Sequence, residues 1–318
     1  MKNAILLLLF AASISVVLDA HFAMATNIAG CTDIASSGVY YLTADITNTG
    51  TSSCIGIYDV NDIILDCQNH IIDSNYVADY GIDIEMTTIQ DSNITVRNCV
   101  LTNWKTKAVY TYEADNITFE SLNVSYNIKY GIYIDCSDDL CSDVHVKDST
   151  FSYNNNSAVY FYTFTVSNIS NNSFISNKEA IKLDASSNSN NISRNRFFDN
   201  AISSPVATTI RFASSNNNIV QSNDFRRNYD LFSISSSTGT TYSYNNFTDN
   251  FDRFSELSTG QEGSANQQVS FSLYPKKVSG SSCASCQYSL SLSPTDSVSY
   301  SLSGSNVTGS FTPTKDGI

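Results

Sequence analysis

The chain has 318 residues, of which 42% are hydrophobic and only 15% charged, with a formal net charge of -13. That charge excludes a nucleic-acid partner, because phosphates reward a basic stripe; it also argues against polyanionic pectin unless calcium or a local basic patch intervenes. At the N-terminus Lys2, an uncharged stretch from Ala4 to Leu18 and Ala23-Met24-Ala25 read as a secretory signal peptide over residues 1–25. Maturation is expected at Thr26, with cleavage after Ala20 as the alternative. No later stretch approaches the ~18 apolar residues of a transmembrane helix, so no membrane span is predicted. The mature protein is expected to be extracellular, at the cell surface or in the periplasm.

Residues 26–53 contain a strand-like segment, Val39 to Leu42, but no repeat, and are predicted to cap an open end. From 54 to 253 an asparagine returns about every 25 residues, at Asn75, Asn103, Asn127, Asn154, Asn177, Asn200, Asn228 and Asn250, the signature of a stacked solenoid. Three residues before it stands an apolar residue: Ile72, Val100, Val124, Phe151, Phe174, Phe197, Phe225, Phe247. Five before it is usually another asparagine, at Asn98, Asn172, Asn195, Asn223 and Asn245, with Leu122 breaking the column. Parallel strands stacked about 4.8 Å apart place such residues directly above one another. The apolar column then becomes a buried stack, and the asparagines become corner ladders that tolerate left-handed backbone and pair amide to amide.

A second strand in each turn reads small, β-branched, polar, apolar, as in Gly81-Ile82-Asp83-Ile84, Ala108-Val109-Tyr110-Thr111, Gly131-Ile132-Tyr133-Ile134 and Ala158-Val159-Tyr160-Phe161. This alternation is strand-like, and no segment shows a helical period. Neither a leucine-rich repeat nor a calcium-binding nonapeptide pattern is present. The predicted fold is an all-β parallel β-helix of about eight rungs.

The chain resembles the right-handed parallel β-helix proteins of the pectin-lyase-like superfamily, especially the NosD-like surface and periplasmic type. The resemblance covers about residues 31 to 253 and rests on Cys31, Gly38-Val39-Tyr40-Tyr41-Leu42, Cys54-Ile55-Gly56-Ile57, Ile64-Leu65-Asp66-Cys67-Gln68-Asn69-His70-Ile71-Ile72 and the repeated Asn-Ile-Thr turns. It implies a fold rather than a function, since the superfamily holds lyases, hydrolases, epimerases and non-catalytic adhesins. A copper role, implied by analogy to the NosD-like proteins, lacks a His/Met cluster here.

Eight cysteines in an exported chain favour disulfides over metal thiolates. The expected pairs are Cys31 with Cys54, Cys67 with Cys99, Cys136 with Cys141, and Cys283 with Cys286. No metal site is predicted. Nine Asn-x-Ser/Thr sequons occur, at Asn93, Asn116, Asn123, Asn155, Asn168, Asn171, Asn191, Asn246 and Asn306, mostly by-products of the turn code. Beyond the ladder, 254–265 has linker composition, and the alternating strands of 266–318 read as a small β-sandwich-like C-terminal module.

Because the β-branched residue of the second strand points inward, the residue after it faces solvent, and so does the one two further along. The first outward column is Tyr58, Asp83, Tyr110, Tyr133, Tyr160, Lys182 and Arg211; the next is Glu85, Tyr112, Asp135, Tyr162 and Asp184. Tyrosines flanked by carboxylates are the composition of a polysaccharide platform; stacked tyrosine columns also stabilise a sheet without any ligand. Asp135 and Asp184 lie two rungs apart, about 10 Å, near the roughly 6.5–9.5 Å separation of inverting glycosidases. A lyase would use Lys182 or Arg211 as base beside carboxylate-bound calcium. The paired-aspartate, Gly-His-Gly and Arg-Ile-Lys motifs of polygalacturonase-like enzymes are absent, and Asp138-Asp139 lies in a Cys-bounded loop. His70 reads as structural and His145 as outward-facing, while His21 leaves with the signal. Trp104 reads as a loop residue, either a ligand anchor or an edge cover. The sequence therefore favours a monomeric, cofactor-free exported protein that binds glycans or mediates adhesion. The alternatives are a polysaccharide lyase or hydrolase on the same face, or a structural envelope repeat.

Overall fold

The computed structural model describes residues 25–250, apart from 48–49, 51, 87, 89–90, 139–140, 202–206 and 249, together with strands at 268–273, 297–303 and 306–312. Each turn contributes one short strand to each of three parallel sheets. The first sheet has nine strands, among them Tyr80–Glu85, Lys107–Tyr112, Tyr130–Asp135, Ser157–Tyr162 and Glu179–Asp184. Its nine turns compare with the eight expected. The third sheet carries the phenylalanine column, through strands such as Thr150–Ser152 and Ser173–Ile175.

The second sheet is formed by the segments expected as turns. The Asn-Ile-Thr segments are strands, including Asp91–Arg97, Asp115–Glu120 and Asn168–Ser170. Their inward residues form one buried column of Tyr40, Leu65, Val96, Phe119, Val146, Ile169, Ile192, Val220 and Tyr242. Several of these strands are three residues long, with a single inward side chain, too short to display alternation.

In the third sheet, Phe151, Phe174, Phe197, Phe225 and Phe247 stack nearly parallel, with successive ring centroids 5.1, 5.0, 4.6 and 5.0 Å apart. One register differs from expectation. Leu101, not Val100, stands between Ile72 and Val124, so the corner position above Asn127 belongs to Trp104 rather than Asn103. Trp104 lies, as expected, in the loop between Val100–Thr102 and Lys107–Tyr112, but its side chain turns inward. It is fully buried; its backbone N–H donates to the Asn127 side-chain oxygen at 2.9 Å and its indole N–H to the Ile72 carbonyl at 3.3 Å.

The ladder proper runs from Asn127 through Asn154, Asn177, Asn200 and Asn228 to Asn250, each amide donating to the next at 2.7, 2.9, 3.1, 3.0 and 3.1 Å. The second amide proton of Asn177 goes to the Phe151 carbonyl at 2.9 Å, and that of Asn200 to Phe174 at 2.8 Å, which saturates the side chains. A second ladder joins Asn172, Asn195, Asn223 and Asn245. A third pairs Asn190 with Asn218 at the remaining corner. Asn75 and Asn98 lie outside these ladders: Asn75 is exposed, and Asn98 donates to Asp66. The left-handed residue is not the ladder asparagine either; it is the one before it, as at Tyr153 (φ 56°), Ser176 (53°) and Asp199 (55°).

The segment expected as a cap supplies its own strands, Thr26–Ile28, Thr32–Ile34, Gly38–Leu42 and Ile46–Thr47, all paired in parallel into the three sheets. Disulfides join Cys31 to Cys54, Cys67 to Cys99, and Cys136 to Cys141. Cys283 and Cys286 lie outside the described residues, as do residues 1–24 of the signal peptide expected over 1–25. Toward the C-terminus Gln268–Leu273 pairs in parallel with the last third-sheet strand, and Asn306–Thr312 pairs antiparallel with both it and Ser297–Ser303. Among the described residues no helix is long and apolar enough to cross a membrane.

Candidate functional site

The outer face of the first sheet carries the expected columns, with one correction and one addition. Asp83, Tyr110, Tyr133, Tyr160, Lys182 and Arg211 stand in register, as do Glu85, Tyr112, Asp135, Tyr162 and Asp184. Tyr58 belongs to the second column, opposite Glu85, while Gly56 faces Asp83. The addition is a third outward column of Ser53, Tyr80, Lys107 and Tyr130. Strict alternation from Val109 turns Lys107 inward, but the strand bends at Ala108, so both Ala108 and Val109 are buried and Lys107 emerges half-exposed. The small residue marks that bend: a side chain on Gly81 would meet the Ala108 carbonyl at 2.5 Å and the Trp104 indole at 2.9 Å.

Lys107 sits at the centre of the face. Its amine lies 3.4 Å from the Tyr110 ring centroid, 4.4 Å from Tyr133 and 5.1 Å from Tyr80, a cation held among aromatic faces. Partial burial draws its pKa down to about 8, against the opposing pull of Asp135 and Asp83. In the neighbouring column Asp83 is almost wholly buried; burial and the charge of Glu85 push its carboxyl up to about 6. The Tyr58 hydroxyl donates to one Asp83 oxygen at 3.1 Å, and the other finds no hydrogen-bond partner among the described residues.

The tyrosines do not form a flat platform. Tyr133 meets Tyr160 edge to face at 4.7 Å and Tyr130 likewise at 5.0 Å, while Tyr110 tilts against Tyr133 at 5.9 Å. Tyr160 is only 6% exposed, its hydroxyl donating to Asp184 at 3.0 Å and accepting from Lys182 at 3.1 Å. Burial, and then neighbouring carboxylates, push the hydroxyls of Tyr110, Tyr133 and Tyr160 well above the usual phenol range, so all three remain neutral donors.

The residues nominated for catalysis are largely committed to each other. Lys182 pairs with Asp184 at 3.0 Å; burial alone raises the Asp184 carboxyl, but the Lys182 hydrogen bond and charge outweigh it and hold the group below the usual range. Arg211 lies 3.9 Å from Glu179, itself buried and accepting from the Ser157 hydroxyl at 2.8 Å. Asp135 accepts from the Ser137 backbone at 3.2 Å, and the Tyr112 hydroxyl donates to Asp138. Glu113 approaches Cys136 and Cys141, but that disulfide offers no thiolate to a metal. His70 contacts Asp45 at 3.0 Å and His145 contacts Asp143 at 3.1 Å, both away from this face.

A family model described as the right handed beta helix region matches residues 37–197, half of the chain. The chain belongs to that family. Among solved right-handed β-helices it is similar to the periplasmic alginate epimerase AlgG, with 13% identity and a TM-score of 0.54 over 67% of this chain and 51% of that one. It is also similar to the enzymatically active domain of bacteriophage CBA120 tailspike protein 2, with 14% identity and a TM-score of 0.53 over 77% of this chain and 41% of that one. The chain thus spans about half the length of these β-helices, and at such identities the likeness is one of fold, in agreement with the pectin-lyase-like resemblance. No curated protein matches the sequence.

Proposed function

We propose that this β-helix protein works outside the cytoplasm and binds a saccharide on the outer face of its first sheet. The observation that carries the reading is the cluster of Tyr80, Tyr110 and Tyr133 around Lys107, beside the partly exposed carboxylates of Glu85 and Asp135. Aromatic faces stack on the C–H faces of sugar rings, and carboxylates accept from their hydroxyls. Three disulfides fit an oxidising compartment, and the two similar β-helices named above include one whose name describes an alginate epimerase in the periplasm. A glycan array with the mature protein tests the reading: binding by wild type, reduced at least tenfold by Tyr110→Ser with Tyr133→Ser at unchanged thermal stability, supports it. Array binding unaffected by those substitutions refutes it.

A second reading, a polysaccharide lyase or hydrolase, is favoured by Lys107 and Asp83. Their pKa values, drawn to about 8 and about 6, bring a base and an acid toward neutrality, as general acid–base chemistry requires. A reducing-sugar and unsaturated-product screen separates the two: turnover abolished by Lys107→Met establishes an enzyme, and binding without turnover establishes the first reading.

A further inference from the structure

The corner between the third and first sheets carries a second set of aromatic rings that the first-sheet site does not use. Tyr76, Tyr126 and Tyr153 are 46%, 51% and 50% exposed, and Ile128 beside them is 41% exposed. With Asn127 and Asn155 they line an open cleft of about 350 Å³. Tyr126 and Tyr153 stack face to face, with centroids 4.9 Å apart and planes 7° from parallel.

Nothing in the architecture requires rings there. The corner is left-handed in each of these turns, at Asn103 (φ 59°), Tyr126 (57°), Tyr153 (56°), Ser176 (53°), Asp199 (55°) and Arg227 (55°). Asparagine and aspartate enter that backbone region readily, whereas a bulky aromatic residue is disfavoured in it. Ser176 and Asn103 make the same bend without a ring, and the asparagine ladder that closes the corner lies behind it, from Asn127 to Asn154. Tyr76 departs from the common length of the corner and is left-handed as well (φ 64°); its N–H donates to the Asn103 carbonyl at 2.7 Å, which brings it to the same cleft. Three unfavourably placed, half-exposed tyrosines therefore converge where the fold asks for none.

We infer that this corner cleft is a second saccharide site, for a neutral pyranose ring. The lining carries no formal charge, so it offers no ion pair to a uronate, a phosphate or a cationic group. It does offer aromatic faces for the C–H face of a sugar, and the Asn155 amide and tyrosine hydroxyls for its hydroxyl groups. The cleft lies only four residues before Tyr130, on the strand-entry edge of the first sheet. This second site stands on its own rings and does not depend on the first-sheet reading.

The test is NMR of full-length mature protein carrying ring-¹³C tyrosine, titrated separately with cellohexaose, laminarihexaose and maltohexaose. At least one hexasaccharide is expected to shift the Tyr76, Tyr126 and Tyr153 rings at low millimolar concentration or below. Tyr126→Ser with Tyr153→Ser should weaken the Tyr76 response at least tenfold, with the thermal midpoint unmoved because Ser176 already makes this corner. Shifts confined to Tyr110 and Tyr133 would overturn the corner site while supporting the first-sheet site; shifts confined to the corner would do the reverse. Corner rings unmoved by all three sugars, or moved equally in the doubly substituted protein, overturn the inference.

Discussion

Asn200→Ala is the sharpest test of the ladder. The Asn200 side-chain oxygen accepts from both the backbone N–H and the side-chain amide of Asn177, at 3.0 and 3.1 Å, and its own amide donates to Asn228 at 3.0 Å and to the Phe174 carbonyl at 2.8 Å. Asn177, Asn200 and Asn228 are all essentially inaccessible to water. Truncation therefore strands two buried donors and deprives one buried carbonyl of its amide. Each unpaired buried group costs about 1–3 kcal/mol, and local relaxation recovers part, so the expected loss is about 3–5 kcal/mol. Asn250→Ala is the internal control: it is the last ladder asparagine among the described residues and is only partly buried, so about 1 kcal/mol is expected. Urea denaturation followed by far-ultraviolet circular dichroism measures both. Equal losses in the two variants, or a loss below about 0.5 kcal/mol for Asn200→Ala, would refute the view that mutual satisfaction of amides holds this corner.

Two further outcomes follow from the outer face. Because the Asp83 carboxyl is raised to about 6 in the folded protein from an ordinary value near 3.8, the native state holds the extra proton between about pH 4 and 6. Its contribution is fully present below that window and lost as pH rises through it; Asp83→Asn should flatten thermal stability between pH 4 and 7, and parallel melting profiles of variant and wild type would contradict this. Lys107, drawn down to about 8, should be acetylated by limiting acetic anhydride with a half-titration near pH 8, measured by peptide mass spectrometry. A half-titration near the ordinary lysine value of about 10.4 would show that its tyrosine surroundings leave the amine unperturbed.

The parts of the fold legible in the sequence were those written in long, gap-free copies. Phe174, Phe197 and Phe225 align without insertions, and so do the asparagines two residues before and three residues after them. Legibility failed where one residue substitutes for the motif. Trp104 fills the ladder position of its turn, and the adjacent Asn103, a left-handed corner residue, offered a false match that shifted the register by one. The second sheet was hidden because Asn168–Ser170 and Asn191–Ser193 expose only one inward side chain each. At the candidate site the tyrosine and carboxylate columns followed from inward-facing Val109 and Ile132. Lys107 did not, because the buried Ala108 breaks the two-residue period at the start of the strand. Nor does a sequence show that Tyr160 and Lys182 would close on Asp184, since that depends on which way long side chains lean between turns.

The ladders also set a rule for length. Successive ladder asparagines are separated by 23 residues from Asn177 to Asn200 but by 28 from Asn200 to Asn228, yet the amide contacts are 3.1 and 3.0 Å. Within each of these turns the spacing from the second ladder to the first, as from Asn195 to Asn200, does not change, and the extra residues all fall between Asn200 and Asn218. Asn190 to Asn195 and Asn218 to Asn223 are likewise five residues apart across the second sheet, so the solenoid is built from two invariant edges and one elastic one, the edge that carries the first sheet. Sequence can be added, and new loops grown beside the outer face, wherever the five-residue spans across the second and third sheets are left untouched.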